Sequence, residues 1–192
     1  VQPTGTEALD LMPAAIALAT LDRQSGRLDG LGLVLKHAVQ RLGDRFDYVL
    51  IDCPPVLGVL LINALAACQR LIIPVQTEFL ALKGLQRMQH TLRMVTRARP
   101  DPLDVVVVPS FFDQRTRASH DSLATLRREH AGDLWDGFIP VDTRFREASR
   151  AGADDHYVRF DGHGSTAGQA VFAPVFSRLP ICYLGLNAPV SE

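Results

Sequence analysis

Short apolar runs alternate with longer segments of helical period along most of the chain. The apolar runs are nearly continuous (VLI, LII, VVVV), which is typical of parallel strands buried on both faces. The predicted strands are Tyr48–Asp52, Arg70–Val75, Asp104–Pro109 and Leu134–Ile139. The predicted helices are Leu9–Leu21, Gly30–Leu42, Val59–Ala67, Leu80–Ala98 and Ala118–His130. This alternation predicts an α/β fold: a mostly parallel sheet with flanking helices, in three layers.

The alternation stops near residue 152. Residues 153–192 show no steady period, and Pro174 interrupts what would otherwise be a helix around Thr166–Ser177. A chain of 192 residues with 47% hydrophobic content suits one compact domain. We therefore expect one domain over residues 1–152 and a divergent C-terminal tail over 153–192.

Composition argues against several classes of protein. A net charge of -1 provides no overall field that would attract nucleic acid or an anionic membrane, so such binding would need a local patch. The three cysteines, Cys53, Cys68 and Cys182, lack the spacing of a zinc site or disulfide framework, which indicates a reducing, cytoplasmic setting. No apolar run approaches the length of a membrane span.

Asp52 is the main candidate for chemistry. It ends a predicted buried parallel strand, where open α/β sheets place their ligand sites, and an acid so placed holds Mg²⁺ in nucleoside-triphosphate hydrolases. The following Pro54 and Pro55 stiffen the loop, and Gly58 precedes the next helix. From spacing alone, a strand end followed by a rigid turn explains these residues equally well.

A set of ordered motifs resembles the ParA/MinD family of deviant P-loop ATPases. The first is Asp47–Pro55 (DYVLIDCPP), followed by Gly58 and by Asn63–Leu65. Later segments similar to the same family are Ile73–Phe79 (IPVQTEF), Phe112–Thr116 (FDQRT) and Ile139–Asp142 (IPVD) with the REAS motif at 146–149. The resemblance extends from about residue 9 to residue 152, and the motifs are specific as a set.

The resemblance implies a P-loop NTPase-like fold and a cytoplasmic switching ATPase of the DNA-partitioning branch. In that family two subunits enclose two ATP molecules with Mg²⁺, the homodimer binds DNA or membrane without sequence preference, and a ParB-like partner stimulates hydrolysis. The tail has only Arg159 and Arg178 as basic residues, so it lacks the basic amphipathic helix of a membrane-targeting member. Non-specific DNA is the expected partner.

The resemblance also assigns roles to individual residues. Asp52 matches the catalytic, Mg²⁺-linked acid, and Pro140 and Asp142 match the segment around the adenine. The expected dimer face contains Gln76, Glu78 and Gly84, and the expected DNA contacts are Arg115, Arg117, Arg144 and Arg146.

A second surface competes for the DNA contact. No acid occurs between Glu78 and Asp101, so the Arg-rich segment Arg87–Arg99 is uncompensated, whereas seven arginines in Phe111–Arg150 are offset by seven acids. Either surface could instead be an ordinary solvated face.

The sequence departs from the family at its phosphate-binding loop. The chain contains no Gly-Lys pair, because Lys36 and Lys83 each follow leucine, and the unit expected before Leu9 is missing. We therefore expect an N-terminally truncated domain that neither binds ATP tightly nor hydrolyses it. The absent strand would lie beside Tyr48–Asp52 and leave an apolar edge exposed, unless the tail or a partner covers it.

Two functions follow as hypotheses. The chain is either the C-terminal portion of an ATPase that partitions DNA or positions a large assembly through an ATP-dependent dimerisation switch, or a degenerate, nucleotide-independent module that pairs with an intact ATPase or nucleic acid. Thiol chemistry at Cys53 is disfavoured, because no adjacent His or Lys would lower its pKa.

Overall fold

The computed structural model describes residues 1–4, 9–15, 17–18, 31–53, 58–97, 99–142 and 181–184. The helices are α1 (Val34–Leu42), α2 (Val59–Ala67), α3 (Phe79–Thr96) and α4 (Arg117–Glu129). The strands are β1 (Gln2–Pro3), β2 (Asp10–Leu11), β3 (Leu50–Cys53), β4 (Arg70–Gln76), β5 (Asp104–Ser110) and β6 (Ile181–Leu184). Short 3-10 helices at Leu31–Leu33 and Gly43–Arg45 flank α1. None of these described helices is long and apolar enough to cross a membrane.

The four longer strands form one parallel sheet in the order β3-β6-β4-β5. β4 and β5 pair along their whole length, from Arg70 with Asp104 to Gln76 with Ser110. β6 lies between β3 and β4 and pairs with both. The edge beside β3 that we expected to be exposed is therefore covered by the C-terminal segment, where the sequence predicted no element.

The main core lies on one face of the sheet. The alternating residues Leu71, Ile73 and Val75 of β4 are fully buried there against apolar side chains of the helices. The helical members of this cluster are Leu61, Ala64, Leu65, Ala81, Leu85, Met88, Leu92 and Leu126. On the other face, Ile72 and Val108 pack against Trp135 and Ile139. The predicted α/β fold with a parallel sheet and flanking helices is confirmed.

The predicted strand Leu134–Ile139 is wrong as a continuous element. The segment runs beside β5 and forms only isolated parallel bridges, Val107 with Leu134 and Phe112 with Pro140. It bends between them at Asp136 and Gly137, where the Trp135 ring occupies the space that a Cβ at Gly137 would need. This bend interrupts the ladder, so the apolar pattern of the segment reflects burial rather than regular pairing.

The predicted helix Leu9–Leu21 is wrong over its described start. Asp10 and Leu11 form β2, which pairs antiparallel with β1. Pro13 disfavours helical backbone at the residue before it, so the helix cannot begin as early as predicted. Ala17 and Leu18 are helical, and the remainder lies outside the described residues, as does the predicted tail helix around Thr166–Ser177.

Candidate functional site

The carboxyl ends of all four parallel strands lie at one edge of the sheet, where parallel α/β proteins bind ligands. Asp52 is exposed near the end of β3, and Gln76 is the last residue of β4. Pro140 lies beyond β5, bridged to Phe112. Four strand spacings separate Asp52 from Pro140, which is roughly 19 Å at about 4.8 Å per spacing. The candidate nucleotide residues are thus on the same edge, but at its two ends.

Asp52 fits the role of an acid that reaches Mg²⁺ through water. Mg²⁺ is commonly held by one or two carboxylates together with waters and substrate phosphates, and Asp52 presents an exposed carboxylate to this edge. In the described part of the chain, no group of three His, Cys, Asp or Glu residues forms a metal cage. The two lysines lie on helices, Lys36 on α1 and Lys83 on α3. The position of Asp52 is therefore suitable for holding Mg²⁺ through water. The described residues, however, contain no phosphate-binding loop.

The loop from β4 into α3 carries the candidate dimer face. Glu78 is exposed and occupies the position before α3, and its backbone N–H donates to the Gln76 carbonyl at 2.8 Å. Gly84 has no atom within 4 Å of the place where a Cβ would stand. Next to these residues Phe79 and Leu80 are 69% and 66% exposed, although both are large and apolar. Two exposed apolar side chains near a glycine with free space around it are typical of a protein contact surface.

A buried hydroxyl pair fixes this loop against the end of β5. The Thr77 hydroxyl donates to the Phe111 carbonyl at 3.3 Å and lies 3.2 Å from the Ser119 hydroxyl of α4. Phe111 has a φ of 53°, which is unusual for a residue other than glycine and is found where a structure holds the backbone in place. No sequence pattern predicted this link, because Thr77 and Ser119 are distant in the chain and ordinary in type.

Two of the arginines predicted to contact DNA already have acidic partners. Arg115 binds Asp113 through two parallel hydrogen bonds of 3.0 Å, and Arg117 lies 3.6 Å from Asp121 one helical turn away. Both arginine side chains are nevertheless largely exposed. Arg144 and Arg146 lie outside the described residues. The structure therefore describes two of the four arginines predicted to contact DNA. The positive charge of each of these two is offset by a neighbouring acid.

The Asp113 carboxylate yields a pH prediction. Its side-chain hydrogen bond from Arg115, together with the Arg115 backbone N–H, lowers the pKa of Asp113 from 3.8 to about 2. Because the folded-state pKa lies below the ordinary value, the pair contributes stability that is fully present above pH 3.8 and is lost as the pH falls through about 2. A carbon NMR titration of this carboxyl should show a midpoint near 2, which Arg115→Gln returns toward 3.8. Arg117→Gln is the matched control and should leave it unchanged; a wild-type midpoint near 3.8 would contradict the prediction.

The outer face of α3 is an uncompensated basic surface. Its cations, Lys83, Arg87, Arg93 and Arg97, pair with no carboxylate among the residues that the structure describes, and all are exposed. Lys83 and Arg87 lie on the side of the helix opposite the buried Leu85, Met88 and Leu92. Arg93 lies at the flank of that side, and Arg97 directly follows the helix. We refer to these four residues as the basic face of α3.

The basic face of α3 includes a shallow cavity of about 430 Å³ lined by Lys83, Gln86, Arg87 and His90. Contacts with α4 and the residue after it position one border of this cavity. The Gln86 side-chain amide donates to the Glu129 carboxylate at 3.4 Å, and the Gln89 amide nitrogen lies 2.9 Å from a ring nitrogen of His130. A hydrogen bond from Arg128 lowers the pKa of Glu129, so this bordering acid stays ionised near neutral pH. The cavity thus combines two cations, Lys83 and Arg87, with an amide, and the ionised Glu129 lies at its border.

Comparison with known proteins gives consistent matches. A family model described as an AAA domain matches residues 1–105. The sporulation initiation inhibitor protein Soj of Bacillus subtilis is 33% identical over 153 residues, covering 79% of this chain and 60% of that protein. The chromosome partitioning protein ParA of Myxococcus xanthus is 31% identical over 153 residues, covering 79% of this chain and 54% of that protein.

Solved structures show the same fold. Cobyrinic acid a,c-diamide synthase from Mycobacterium smegmatis, solved with a bound ATP analogue and magnesium, aligns with a TM-score of 0.61 and 30% identity over 76% of this chain and 63% of that chain. The apo McdA structure from Cyanthece has a TM-score of 0.60 at 20% identity, over 73% of this chain and 60% of that chain, which shows likeness of fold alone.

The parallel sheet with an acid at its carboxyl edge and these structural neighbours define a P-loop NTPase-like α/β protein. The chain belongs to the AAA domain family, and its similarity to Soj and ParA agrees with the ParA-like family that its motifs predicted. It spans 60% and 54% of the lengths of the Soj and ParA relatives described above.

Proposed function

We propose that this chain is the C-terminal portion of a ParA/MinD-type ATPase that partitions DNA or positions a large cellular assembly. The observation that carries the proposal is the exposed Asp52 at the carboxyl edge of a parallel sheet, together with Gln76 and Pro140 on that edge. Support comes from relatives named as chromosome partitioning proteins. A cytoplasmic protein associated with the nucleoid follows from this proposal.

The proposed activity is an ATP-dependent dimerisation switch. Bound ATP and Mg²⁺ would supply the phosphoryl group and neutralise its charge. In this chain Asp52 would hold the metal through water, and Pro140 and Asp142 would contact the base. Gln76, Glu78 and Gly84 would face a second subunit, and a ParB-like partner would stimulate hydrolysis. The exposed Phe79 and Leu80 beside the dimer face support this arrangement.

The reading frame directly upstream of the Val1 codon tests the proposal. A continuous frame that encodes an apolar strand and a Gly-rich loop ending in Gly-Lys-Ser or Gly-Lys-Thr is the expected result, because it would complete the nucleotide site around Asp52. An in-frame stop codon with a ribosome-binding site next to Val1 would contradict it. The function would then be the alternative, a nucleotide-independent binding module.

Residues 1–192 alone are expected to show no saturable micromolar binding of a fluorescent ATP analogue. The reason is that phosphate binding in this fold depends on a lysine and a run of backbone N–H groups in a Gly-rich loop, and this chain has no Gly-Lys pair. The measurement is an equilibrium fluorescence titration with Mg²⁺ present. Saturable binding that Asp52→Asn weakens would show that these residues contain a working nucleotide site.

In the complete ATPase with ATP and Mg²⁺ present, Leu80→Asp is expected to weaken self-association by at least about tenfold, equivalent to about 1.4 kcal/mol. A carboxylate introduced into an apolar contact must lose water without gaining a partner. Sedimentation equilibrium over a concentration series measures the effect. Met94→Asp is the matched control, because Met94 lies near the far end of the same helix and is 54% exposed. Equal weakening of self-association by both variants would show that the subunit contact does not involve the surface around Leu80.

One observation favours the alternative, a nucleotide-independent binding module. The cations of the basic face of α3 are exposed without any bound nucleotide. Arg115 and Arg117 remain the competing DNA contacts, and each has an acid beside it. Random-sequence duplex DNA is the proposed ligand of either surface. Binding by residues 1–192 that is unchanged by ATP would support the module.

A further inference from the structure

The residue that directly follows β5 combines an unfavourable backbone with an exposed aromatic ring. The φ of Phe111, 53°, lies in the left-handed region that residues other than glycine, asparagine and aspartate seldom adopt. Phe111 is also 49% exposed, although it is large and apolar. Glycine or asparagine at this position would avoid both costs. Strain of this kind is concentrated at functional sites, so the Phe111 ring is a candidate for a contact outside the chain.

Hydrogen bonds on both sides of Phe111 impose this conformation. The Ser110 carbonyl accepts from the Thr77 N–H at 3.0 Å and so continues the pairing of β5 with β4. Because alternate residues of a strand direct their backbone groups to the same neighbour, Phe112 should also face β4. Its N–H donates instead to the Ile139 carbonyl at 2.9 Å, on the side of β5 away from β4. Phe111 therefore shifts the alternation by one residue, as in a β-bulge.

Two buried hydroxyls hold the residues on either side of this shift. The Thr77 hydroxyl donates to the Phe111 carbonyl, and the Ser119 hydroxyl donates to the Thr77 carbonyl at 3.4 Å. The Ser119 hydroxyl also accepts from the Asp113 N–H at 3.4 Å. Thr77 and Ser119 are only 4% and 7% exposed. Since Thr77 lies two residues before Phe79, the pair ties the strained segment to the loop that carries the exposed Phe79.

We propose that Phe111, with Phe79 and Leu80, belongs to the surface that contacts a second copy of this chain. Thr77 and Ser119 are positioning residues that hold Phe111 in place on this surface. The inference rests on the proposed ATP-dependent dimer and adds to it a contact residue that no motif indicated. Both segments lie at the carboxyl edge of the sheet, next to the proposed dimer face. Burial of the exposed rings against a second subunit would offset the backbone strain.

Phe111→Asn in the complete ATPase, with ATP and Mg²⁺ present, tests the contact. Asparagine tolerates the left-handed backbone, so this variant removes the ring and retains the conformation of the loop. Self-association should weaken by at least about tenfold, the loss expected when one aromatic side chain is no longer buried. Sedimentation equilibrium measures it. Phe111→Tyr keeps the ring and should associate like the wild type, as should Met94→Asn, which changes a 54% exposed residue elsewhere.

Thr77→Val tests the positioning role. Valine has the shape of threonine without its hydroxyl, so the Phe111 carbonyl loses its donor. Self-association should weaken by about threefold or more, the effect of one lost hydrogen bond. The loss should disappear when the chain also carries Phe111→Asn, because no ring is then left to position. Thr77→Ser should restore association, and Ser122→Ala, at a buried residue of the same helix as Ser119, should leave it unchanged.

The strain itself can be measured on residues 1–192. Phe111→Gly should unfold at a higher urea concentration than Phe111→Ala, because glycine tolerates a positive φ that alanine does not. The reverse order would show that Phe111 is not held in the left-handed region and would overturn the inference.

The outcomes separate this inference from the proposed dimer. Self-association that Leu80→Asp weakens and Phe111→Asn leaves unchanged would overturn the role of Phe111 while the ATPase dimer stands. Absence of self-association by the wild-type complete ATPase would overturn both. An equal loss from Thr77→Val with and without Phe111→Asn would assign Thr77 to stability alone and overturn its positioning role.

Discussion

Leu65→Ala is expected to lower the free energy of unfolding by about 2–5 kcal/mol. Leu65 is a fully buried residue of α2 and packs in the cluster that joins this helix to β4 and α3. Removing its branched end takes apolar atoms out of the core and leaves a cavity, because the fully buried Leu61 and Leu71 in the same cluster cannot close the space. Urea unfolding followed by circular dichroism measures the change.

Ile62→Ala is the matched control for this prediction. Ile62 is in the same helix and is 38% exposed, so its truncation leaves a notch open to solvent rather than a closed cavity. Its expected cost is below about 1 kcal/mol, the range of surface substitutions. Equal costs for Leu65→Ala and Ile62→Ala would show that α2 does not pack against the sheet as described.

Arg87→Gln combined with Arg93→Gln is expected to weaken binding to random-sequence duplex DNA by about tenfold to a hundredfold at low salt. Each phosphate contact releases close to one counterion, so losing two contacts should also reduce the slope of log affinity against log salt by about two. The physical reason is that these two exposed cations of α3 have no carboxylate partner among the described residues. Fluorescence anisotropy over a salt series measures both quantities.

Arg115→Gln combined with Arg117→Gln is the control of equal charge change. Asp113 and Asp121 already offset these arginines, so their removal should change affinity and slope less. A larger loss for this pair than for Arg87 and Arg93 would assign the DNA contact to the loop before α4. That surface is the one the family resemblance had indicated.

Much of the fold could be predicted from the sequence because local pattern and tertiary environment agree there. The helix Val59–Ala67 is observed with the predicted bounds, and β4 and β5 each extend one residue further than predicted. The continuous apolar runs of β4 and β5 predicted strands that are buried on both faces of the sheet. The segment Leu134–Ile139 had a similar pattern, but the bend at Asp136 and Gly137 breaks its pairing, and no local signal distinguished burial from a regular ladder.

The candidate site was predicted only in its separate parts. Asp52 was identified at the end of an apolar strand, and Gln76 and Pro140 through the family resemblance; parallel topology brings them to one edge of the sheet. Their catalytic, nucleotide-binding and dimer roles stay predictions. The link between Thr77 and Ser119, and the ion pairs of Arg115 and Arg117, depend on side-chain positions that no spacing rule provides.

By itself, the sequence determined the class of the fold, the family and the residues available for chemistry, because hydrophobic period, strand-end acids and motif order are local properties of the chain. Tertiary structure alone decided which strand lies between β3 and β4, and which cations have no acidic partner among the described residues. The reason is that backbone pairing accepts almost any short apolar strand, so Ile181–Leu184 carries no recognisable signal for its central place. Charge compensation likewise depends on distances in space, and these exist only once the helices are packed.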